Sequence, residues 1–232
     1  YNNPTSNSCE LWRIIGVFYN VTKSNGEKEN LVKIVRNDSI GDYSWDNKDT
    51  TSGALSDNGS NNWATSRLNY LLNPGHETEK IGGSLYYNAL DGDAYIGKNN
   101  ATTDRNISTV GLKNDETRNA IEEVIWNLGG IPEYKSGITA KAWYLSEKGT
   151  EHYVDNPTTW NGKIGIASAS DYGFATSGGQ ATDRNSCLSS SIYNWNDTSL
   201  SDCKNNNYLY VENDYMWLLN AYSKNSQAVF YI

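Results

Sequence analysis

The chain is poor in the side chains that most often carry catalysis and metal binding. Only two of its 232 residues are histidines, His76 and His152, and its three cysteines include no C-x-x-C pair. The sequence therefore lacks metal-binding spacing, and it pairs neither histidine with a nucleophile. Ser177-Gly178-Gly179 lacks the flanking residues of a nucleophile elbow or a phosphate loop. We therefore expect a protein that is not an enzyme and that needs no cofactor.

Basic charge and long apolar runs are also scarce. The chain has 19 lysines and arginines against 27 aspartates and glutamates, which gives a formal net charge of -8. We find no basic stripe, and this excludes nucleic acid and anionic lipid as expected partners. No apolar stretch is long enough to span a bilayer, and no signal peptide is present. We expect any anchor or export signal to have been removed or to lie outside this sequence.

Asparagine and the larger aromatic residues are abundant. There are 31 asparagines, 17 tyrosines and 8 tryptophans but only 3 phenylalanines. Short polar side chains satisfy loop backbone locally, so the composition predicts a loop-rich and strand-rich protein with half-buried aromatic rings. Hydrophobic residues make up 37% of the chain, which argues against disorder. We expect residues 1–232 to form one domain, with two closely packed lobes as the alternative.

Apolar runs predict strands near both ends of the chain and helices between them. The runs at 11–19 and 30–36 with the Asn25-Gly26 turn predict a β-hairpin. The following segments are predicted as a surface loop at 38–62, a helix at 61–72 and a second helix at 114–128 that ends at Gly129-Gly130. Later apolar segments, expected to be strands, lie at 139–145, 160–166, 208–211, 217–219 and 228–232. This order predicts an α+β fold with mixed or antiparallel sheets, two helices and long loops.

Two of the three cysteines are placed to close a loop. Cys187 and Cys203 bracket a polar segment rich in asparagine and serine. In the chain-entropy model, a disulfide that closes a loop of about 15 residues is worth roughly 3 kcal/mol. The bond would imply an oxidising, extracytoplasmic location, whereas three reduced thiols would fit a cytosolic protein. Both alternatives are open at this point, and Cys9 is left as the odd cysteine.

Long motifs occur along nearly the whole chain. They are L-W-R-I-I-G-V-F at 11–18, V-K-I-V-R-N-D-S-I-G at 32–41, R-N-A-I-E-E-V-I-W-N-L-G-G at 118–130, K-I-G-I-A-S-A-S-D-Y-G-F-A-T-S-G-G at 163–179 and the 187–203 segment. Together they resemble a large uncharacterised family of surface proteins from gut Firmicutes and Mollicutes-like bacteria. The resemblance implies a prepilin-like or transmembrane helix ahead of the domain and a C-type-lectin-like fold. It also implies a chain truncated at both ends, with a missing cysteine beyond Ile232 that pairs with Cys9.

Aromatic rings in the last third of the chain lie among small polar residues, a composition typical of recognition surfaces and of sugar stacking. The candidate ligand contacts are Tyr193, Trp195, Asn196, Asp197, Tyr208 and Tyr210. The alternative is that such rings form the core of an aromatic-rich fold. The tripeptide at 195–197 also matches one with which C-type lectins hold calcium and sugar, but its companion motif is absent, so an ordinary exposed loop is the alternative. Asp91-Gly92-Asp93 fits a tight acidic turn better than a calcium loop.

Three hypotheses follow. The first is a non-enzymatic, pilin-like surface or filament subunit with an adhesive role outside the bacterial cell. Its partners would be a host or environmental ligand, either glycan or protein, or neighbouring copies in a filament. The second is a C-type-lectin-like binding module, sequence-diversified or related to phage receptor-binding proteins. The third is an enzyme acting on cell wall or glycan, for which Glu133, Glu147 and Asp171 are nominal carboxylates.

Overall fold

The chain folds into two compact units, each with its own secondary structure. The computed structural model describes residues 11–41, 43, 45–46, 60–73, 120–131, 137–226 and 228–232. The N-terminal unit comprises Tyr1–Trp126 and Thr159–Gly165, and the C-terminal unit comprises Asn127–Thr158 and Ile166–Ile232. Some sequence predictions concern residues outside the described ones. They are the pairing of Cys9, the carboxylate of Glu133, the histidine His76 and the acidic turn at 91–93.

Short helices alternate with small two-stranded sheets, which confirms the α+β class. The strands are β1 (Trp12–Thr22), β2 (Lys28–Arg36), β3 (Val124–Asn127), β4 (Thr159–Gly162), β5 (Trp217–Ala221) and β6 (Val229–Tyr231). The α-helices are α1 (Arg67–Leu72), α2 (Ala140–Glu147), α3 (Ala169–Phe174), α4 (Arg184–Ser189) and α5 (Ser201–Asn205). The expected number of two helices is therefore wrong, because the described residues alone contain five α-helices.

The predicted N-terminal hairpin is confirmed. Strands β1 and β2 pair antiparallel, and two register irregularities interrupt the ladder. The turn between them places Gly26 at φ 85°, a left-handed conformation that glycine adopts without steric penalty. Asn25 fixes the turn from its side chain, because its Oδ1 accepts the Glu27 N–H at 3.0 Å.

The hairpin has one face with exposed apolar side chains. The register places Ile14 opposite Ile34 and Val17 opposite Val32, and all four side chains are exposed. Lys33 is half-buried, and its ammonium lies 5.1 Å from the ring centre of Trp126. The hairpin therefore leaves an apolar patch on the surface of the N-terminal unit.

The predicted second helix is wrong over its C-terminal part. Residues 124–127 form strand β3, which pairs with β4, and Val124 also bridges Lys23 in the antiparallel sense. The apolar positions do recur at helical spacing, but Val124 and Ile125 are β-branched and Trp126 is aromatic, and such residues favour a pleated surface. The Trp126 indole N–H donates to the Gly162 carbonyl at 2.9 Å, which fixes the ring beside the paired strand.

The first predicted helix is confirmed in two pieces. A 3₁₀ turn at Trp63–Thr65 precedes α1, and Ser66 separates them. Ser66 caps α1, since its hydroxyl accepts the Asn69 N–H at 3.2 Å. Trp45, which was expected in a surface loop, is buried and packs against Trp63 with ring centres 5.3 Å apart.

The C-terminal unit has its core between α2, α3 and β5. The buried side chains of this cluster are Ile131, Trp143, Ala169 and Leu218. The segment at 139–145 is helical, so the strand expectation there is wrong; Thr139 begins α2 by accepting the Ala142 N–H at 3.3 Å. The segment at 208–211 contains a turn and no strand, whereas β5 and β6 confirm the predictions at 217–219 and 228–232.

Gly129 and Gly130 allow close backbone packing rather than ending a helix. A Cβ atom on Gly129 would lie 2.3 Å from the Ser146 carbonyl oxygen, and one on Gly130 would lie 2.6 Å from that of Ala221. Contacts this short exclude any side chain without movement of the backbone. The two glycines therefore bring the chain against the end of α2 and against β5.

The predicted disulfide between Cys187 and Cys203 is confirmed, with Cα atoms 5.5 Å apart and both residues fully buried. A structural disulfide indicates a location outside the cytoplasm. Within the described part of the chain, no helix has both the length and the apolar character needed to cross a bilayer.

Candidate functional site: an aromatic groove in the C-terminal unit

The disulfide encloses the segment that carries Trp195. Cys187 lies in α4 and Cys203 in α5, and a 3₁₀ helix at Ile192–Asn196 lies between them. The backbone N–H of Ile192 donates to the Ile138 carbonyl at 3.2 Å, which ties this helix to the entrance of α2. The polar loop predicted from the sequence is thus a helical segment attached to the core.

Helix α3 supplies Tyr172, and polar side chains fix both ends of the helix. At its start, Ser168 and Asp171 form a capping box, and the Ala169 N–H donates to Asn220 Oδ1 at 2.7 Å. Near its end, the Asn207 amide donates to the Tyr172 carbonyl at 2.8 Å. The side-chain amides of Asn220 and Asn207 thus bind backbone groups at the two ends of α3 and fix the position of Tyr172.

An open groove of about 840 Å³ lies in the C-terminal unit. We call it the aromatic groove because most of its large side chains are aromatic. These rings belong to Trp143, Tyr172, Tyr193, Trp195, Tyr210, Tyr215, Tyr222, Phe230 and Tyr231. Leu218 and Ala169 form part of its apolar lining, while β6 and the chain up to Ile232 supply another part. A groove of this size and composition suits a small organic ligand or a sugar.

Lys204 is a basic residue of the groove lining, and it lies beside Asn196 and Tyr210. The Lys204 ammonium donates to Asn196 Oδ1 at 3.0 Å and lies 5.1 Å from the centre of the Tyr210 ring. Trp195 is only 2% exposed, and its ring centre lies 5.7 Å from that of Tyr172.

Two buried polar atoms of residues in the groove lining lack a hydrogen-bond partner in the described part of the chain. The Ser191 hydroxyl and the Trp195 indole nitrogen form no hydrogen bond within the part of the chain that the structure describes. Buried polar groups are nearly always hydrogen-bonded in folded proteins, so each exception calls for an explanation. Both residues contribute to the groove lining, but the two polar atoms themselves are buried away from solvent, so they are unpaired groups of the interior and not contacts for a ligand in the groove.

The phenol of Tyr172 is held in its neutral form. Burial raises the pKa of Tyr172, and the neighbouring Tyr210 raises it further. A neutral phenol can both donate and accept a hydrogen bond. Tyr172 therefore offers the groove an aromatic face that carries no charge at physiological pH.

The structure brings four of the six candidate ligand contacts into the groove. Tyr193, Trp195, Asn196 and Tyr210 line it. Asp197 and Tyr208 do not belong to its lining. Tyr193 is 56% exposed, so it resembles a surface contact, whereas Trp195 belongs both to the buried interior and to the groove.

Sequence analysis missed Ser191 and Lys204. Lys204 is the only basic residue between Arg184 and Lys224, and a lone cation beside a disulfide cysteine among aromatics was a signal that could have identified it. Ser191 offers no such signal, because the chain has many serines and only the fold shows which hydroxyl is buried without a partner.

The 195–197 tripeptide does not have the geometry of a calcium site. Asn196 Oδ1 already accepts the Lys204 ammonium, so a second cation there would meet like charge. Asp197 Oδ1 accepts both the N–H and the hydroxyl of Ser199 at 2.8 Å, and these hydrogen bonds lower the pKa of Asp197. Among the described residues, no group of three or more histidine, cysteine or carboxylate side chains could hold a metal ion.

Glu147 and Asp171, two carboxylates considered for the enzyme hypothesis, form hydrogen bonds with the first residues of α3 and with Ser168 before it. Glu147 is buried and accepts the Ser170 N–H at 2.9 Å, the Ser170 hydroxyl at 2.5 Å and the Asn220 amide at 3.3 Å. Asp171 accepts the Ser168 N–H at 2.8 Å. Both side chains are therefore engaged in the frame of the unit and lie apart from the groove lining.

Comparison with protein-family models, curated proteins and solved structures gives no match to this chain. The resemblance to bacterial surface proteins accordingly stays a prediction.

Proposed function

We propose that this chain is a non-catalytic recognition domain displayed outside a bacterial cell, whose aromatic groove binds a glycan. The observation that carries the proposal is an open groove of about 840 Å³ whose large side chains are mostly aromatic and whose lining also includes the polar side chains of Asn196, Lys204 and Asn213. Aromatic faces stack on sugar rings, and amide side chains such as those of Asn196 and Asn213 can form hydrogen bonds with sugar hydroxyls. The Cys187–Cys203 disulfide supports the extracellular location. A C-type-lectin-like architecture and a pilin-like display remain parts of this proposal.

A glycan array followed by calorimetry tests the proposal. We expect the protein to bind at least one array glycan, and the Tyr210→Ala variant to lose that binding because it removes a ring of the groove. Tyr208→Ala is the matched control, since it removes a tyrosine two positions away that does not belong to the lining. If the wild type binds no array glycan more strongly than the Tyr210→Ala variant does, the proposed function is contradicted.

A second candidate function is assembly with neighbouring copies of the same chain. The exposed apolar face of the hairpin, formed by Ile14, Val17, Val32 and Ile34, favours it. Residues 12–36 also carry five basic and two acidic side chains, whereas the whole chain has 19 basic and 27 acidic ones. The hairpin is therefore complementary in charge to the rest of a second copy, and such a head-to-tail contact can propagate into a filament.

Sedimentation velocity at low and high salt tests the assembly role. We expect association that grows with protein concentration and weakens in high salt, because the contact pairs opposite charges. The double variant Ile14→Thr/Ile34→Thr keeps β-branched residues and should stay monomeric. Val154→Thr, an equally conservative change at an exposed position of the other unit, should associate like the wild type. A wild type that is monomeric at all concentrations would exclude this function.

A further inference from the structure

Strand β6 lies at an open edge of its sheet. Within the described residues this sheet contains only β5 and β6. On the side away from β6, the Leu219 N–H of β5 donates to the Ala167 carbonyl at 2.9 Å. The Ala221 carbonyl of β5 accepts the Ile131 N–H at 3.3 Å on that same side. Strand β6 has no corresponding neighbour among the described residues, so its outer side is open.

The pairing with β5 shows which backbone groups of β6 point outward. Ile232 and Met216 exchange two backbone hydrogen bonds, at 2.9 and 3.1 Å. The Ala228 carbonyl accepts a further one, at 3.0 Å, from the residue that follows β5. Bonded and non-bonded pairs alternate along an antiparallel ladder, so Val229 and Tyr231 direct their N–H and C=O groups away from β5. These four groups lie on the open edge, and no described residue pairs with them.

The open edge borders the aromatic groove. Side chains alternate between the two faces of a strand, so a groove over one face would be lined by every second residue. All residues from Ala228 to Ile232 line the groove, whereas β5 contributes only Leu218. The groove therefore runs along the edge of β6. Tyr231 is 58% exposed, which leaves this edge accessible to a partner.

The chain around this edge carries negative charge. Residues 205–223 include two acidic side chains and no lysine or arginine, and residues 225–232 carry no charge. One of the acidic residues, Asp214, lines the groove and precedes Tyr215, whose ring centre lies 5.3 Å from that of Tyr231. Lys204, the other charged residue of the lining, lies in α5. The carboxylate and the faces of the two tyrosine rings all attract a cation.

We infer that the β6 edge binds an extended, basic peptide segment of another protein by strand addition. Val229 and Tyr231 present two N–H donors and two C=O acceptors, the set with which alternate residues of an added strand form hydrogen bonds. A basic side chain of the peptide lies near Asp214 and the Tyr231 ring. This inference goes beyond the proposed glycan binding, because it rests on backbone groups of β6 and not on the stacking of rings.

Fluorescence anisotropy with a labelled peptide tests the inference on the full chain. The probe is Thr-Val-Lys-Val-Thr with both ends capped, and two further versions carry N-methyl groups, one at the third residue and one at the second and fourth. Alternate residues of an added strand face β6, so one methylated version should lose about tenfold in affinity while the other binds like the parent peptide. Equal loss in both versions, or loss in neither, overturns the inference.

A proline variant removes one donor from the edge. Val229→Pro deletes an outward N–H and leaves the hydrogen bonds to β5, so it should weaken peptide binding about tenfold. Val229→Thr is the matched control, because it keeps both the N–H and a β-branched side chain, and it should bind like the wild type. Unchanged binding by Val229→Pro contradicts strand addition. If the proline variant unfolds, the methylated peptides still decide the question on the wild type.

The charge of the partner is tested with a peptide in which glutamate replaces the lysine. At low salt it should bind about tenfold more weakly than the lysine peptide, and Asp214→Asn should reduce this difference. Equal binding of the two peptides overturns the basic character of the partner.

Two outcomes separate this inference from other occupants and from the proposed function. Sedimentation velocity without peptide detects a second copy on the edge. A dimer that Val229→Pro abolishes would show that a second copy occupies β6, and the inference would be wrong. If the wild type binds none of the peptides, the inference fails and glycan binding is unaffected, whereas failure on the glycan array leaves the peptide result standing.

Discussion

The hairpin and the disulfide-closed segment are ordered by different means. In the hairpin, 11-residue and 9-residue strands pair backbone to backbone over most of their length. Residues 187–203 contain helical turns of five or six residues, a disulfide and hydrogen bonds from side chains to distant backbone. Isolated helices this short are unstable in water, so their order comes from the surrounding protein.

This difference explains where a binding groove can form. A regular ladder satisfies its backbone and presents side chains at fixed intervals, which gives a flat surface. The 187–203 segment instead consists of short helices, and the hydroxyls of Thr176 and Thr182 donate to its Cys203 and Ser199 carbonyls. In neighbouring α3, the amides of Asn207 and Asn220 bind backbone groups in the same way. Such irregular backbone can border a concave surface, and residues 191–196 contribute Tyr193 and Asn196 to the groove lining.

Removal of the disulfide should have the largest effect. In Cys187→Ala/Cys203→Ala we expect the free energy of unfolding to fall by about 3 kcal/mol, since the unfolded chain is no longer closed into a loop. Hydrogen exchange should show lost protection in residues 187–210 and unchanged protection in β1 and β2. Wild type treated with a reducing agent is the control and should behave like the double variant. If residues 187–210 and strands β1 and β2 lose protection equally, the two regions are not ordered by different means.

A turn variant makes the reciprocal test in the hairpin. Gly26→Val should lower the free energy of unfolding by about 1–2 kcal/mol, because a β-branched residue is strained at φ 85°. No atom lies within 4 Å of a Cβ built there, so the effect is conformational and not steric. Gly26→Asn is the matched control and should cost little, since asparagine tolerates the left-handed region. Equal denaturation midpoints for the two variants would contradict this account.

Ser191→Ala should raise stability, because the Ser191 hydroxyl is buried without a partner in the described structure. Removing a buried hydroxyl that has no partner in the described structure should raise the free energy of unfolding by about 1 kcal/mol. Ser199→Ala is the control, because that hydroxyl is exposed and donates to Asp197, and it should give no gain. Denaturation curves without ligand provide the measurement. A less stable Ser191→Ala would show that the hydroxyl has a partner in solution.

The smallest effect concerns pH and the cap of α4. The Ser186 N–H donates to Asp183 at 2.8 Å and lowers the pKa of Asp183 below its ordinary 3.8. A carboxylate with a lowered folded pKa stabilises the fold above its unfolded pKa, and that stabilisation is lost as the pH falls through the folded value. Asparagine also caps helices but does not titrate. Wild type should therefore melt at a higher temperature than Asp183→Asn at pH 6, and this difference in melting temperature should shrink at pH 3. A difference that does not change with pH would exclude this contribution.

The sequence allowed the hairpin to be predicted because its signals are local. Runs of β-branched and aromatic residues and the Asn25-Gly26 turn define both strands and the turn without reference to the rest of the chain. Strand β3 was assigned to a helix because its apolar positions also fit a helical period, and only its pairing with β4 decides between the two. The helices that Ser168 and Asp183 cap were not predicted, because six residues are too few to show a helical period.

The candidate site was predicted in part for the same reason. Aromatic residues among small polar ones can be counted in a sequence, and four of the six candidates selected in this way do line the groove. Whether a buried polar atom finds a hydrogen-bond partner cannot be counted in a sequence, because it depends on which atoms come into contact after folding. Ser191 therefore became visible only in three dimensions, as did the contact of Lys204 with Asn196.

The closure of residues 187–203 also bears on evolvability. Cys187 and Cys203 hold the two ends of the segment 5.5 Å apart, and Thr176 donates from its hydroxyl to the Cys203 carbonyl at 2.6 Å. The exposed positions between these anchors, Tyr193 and Asn194 among them, can change identity without altering the frame. The fold of the segment therefore depends on its anchored ends, and we expect substitutions at exposed positions such as Asn194 to leave that fold intact.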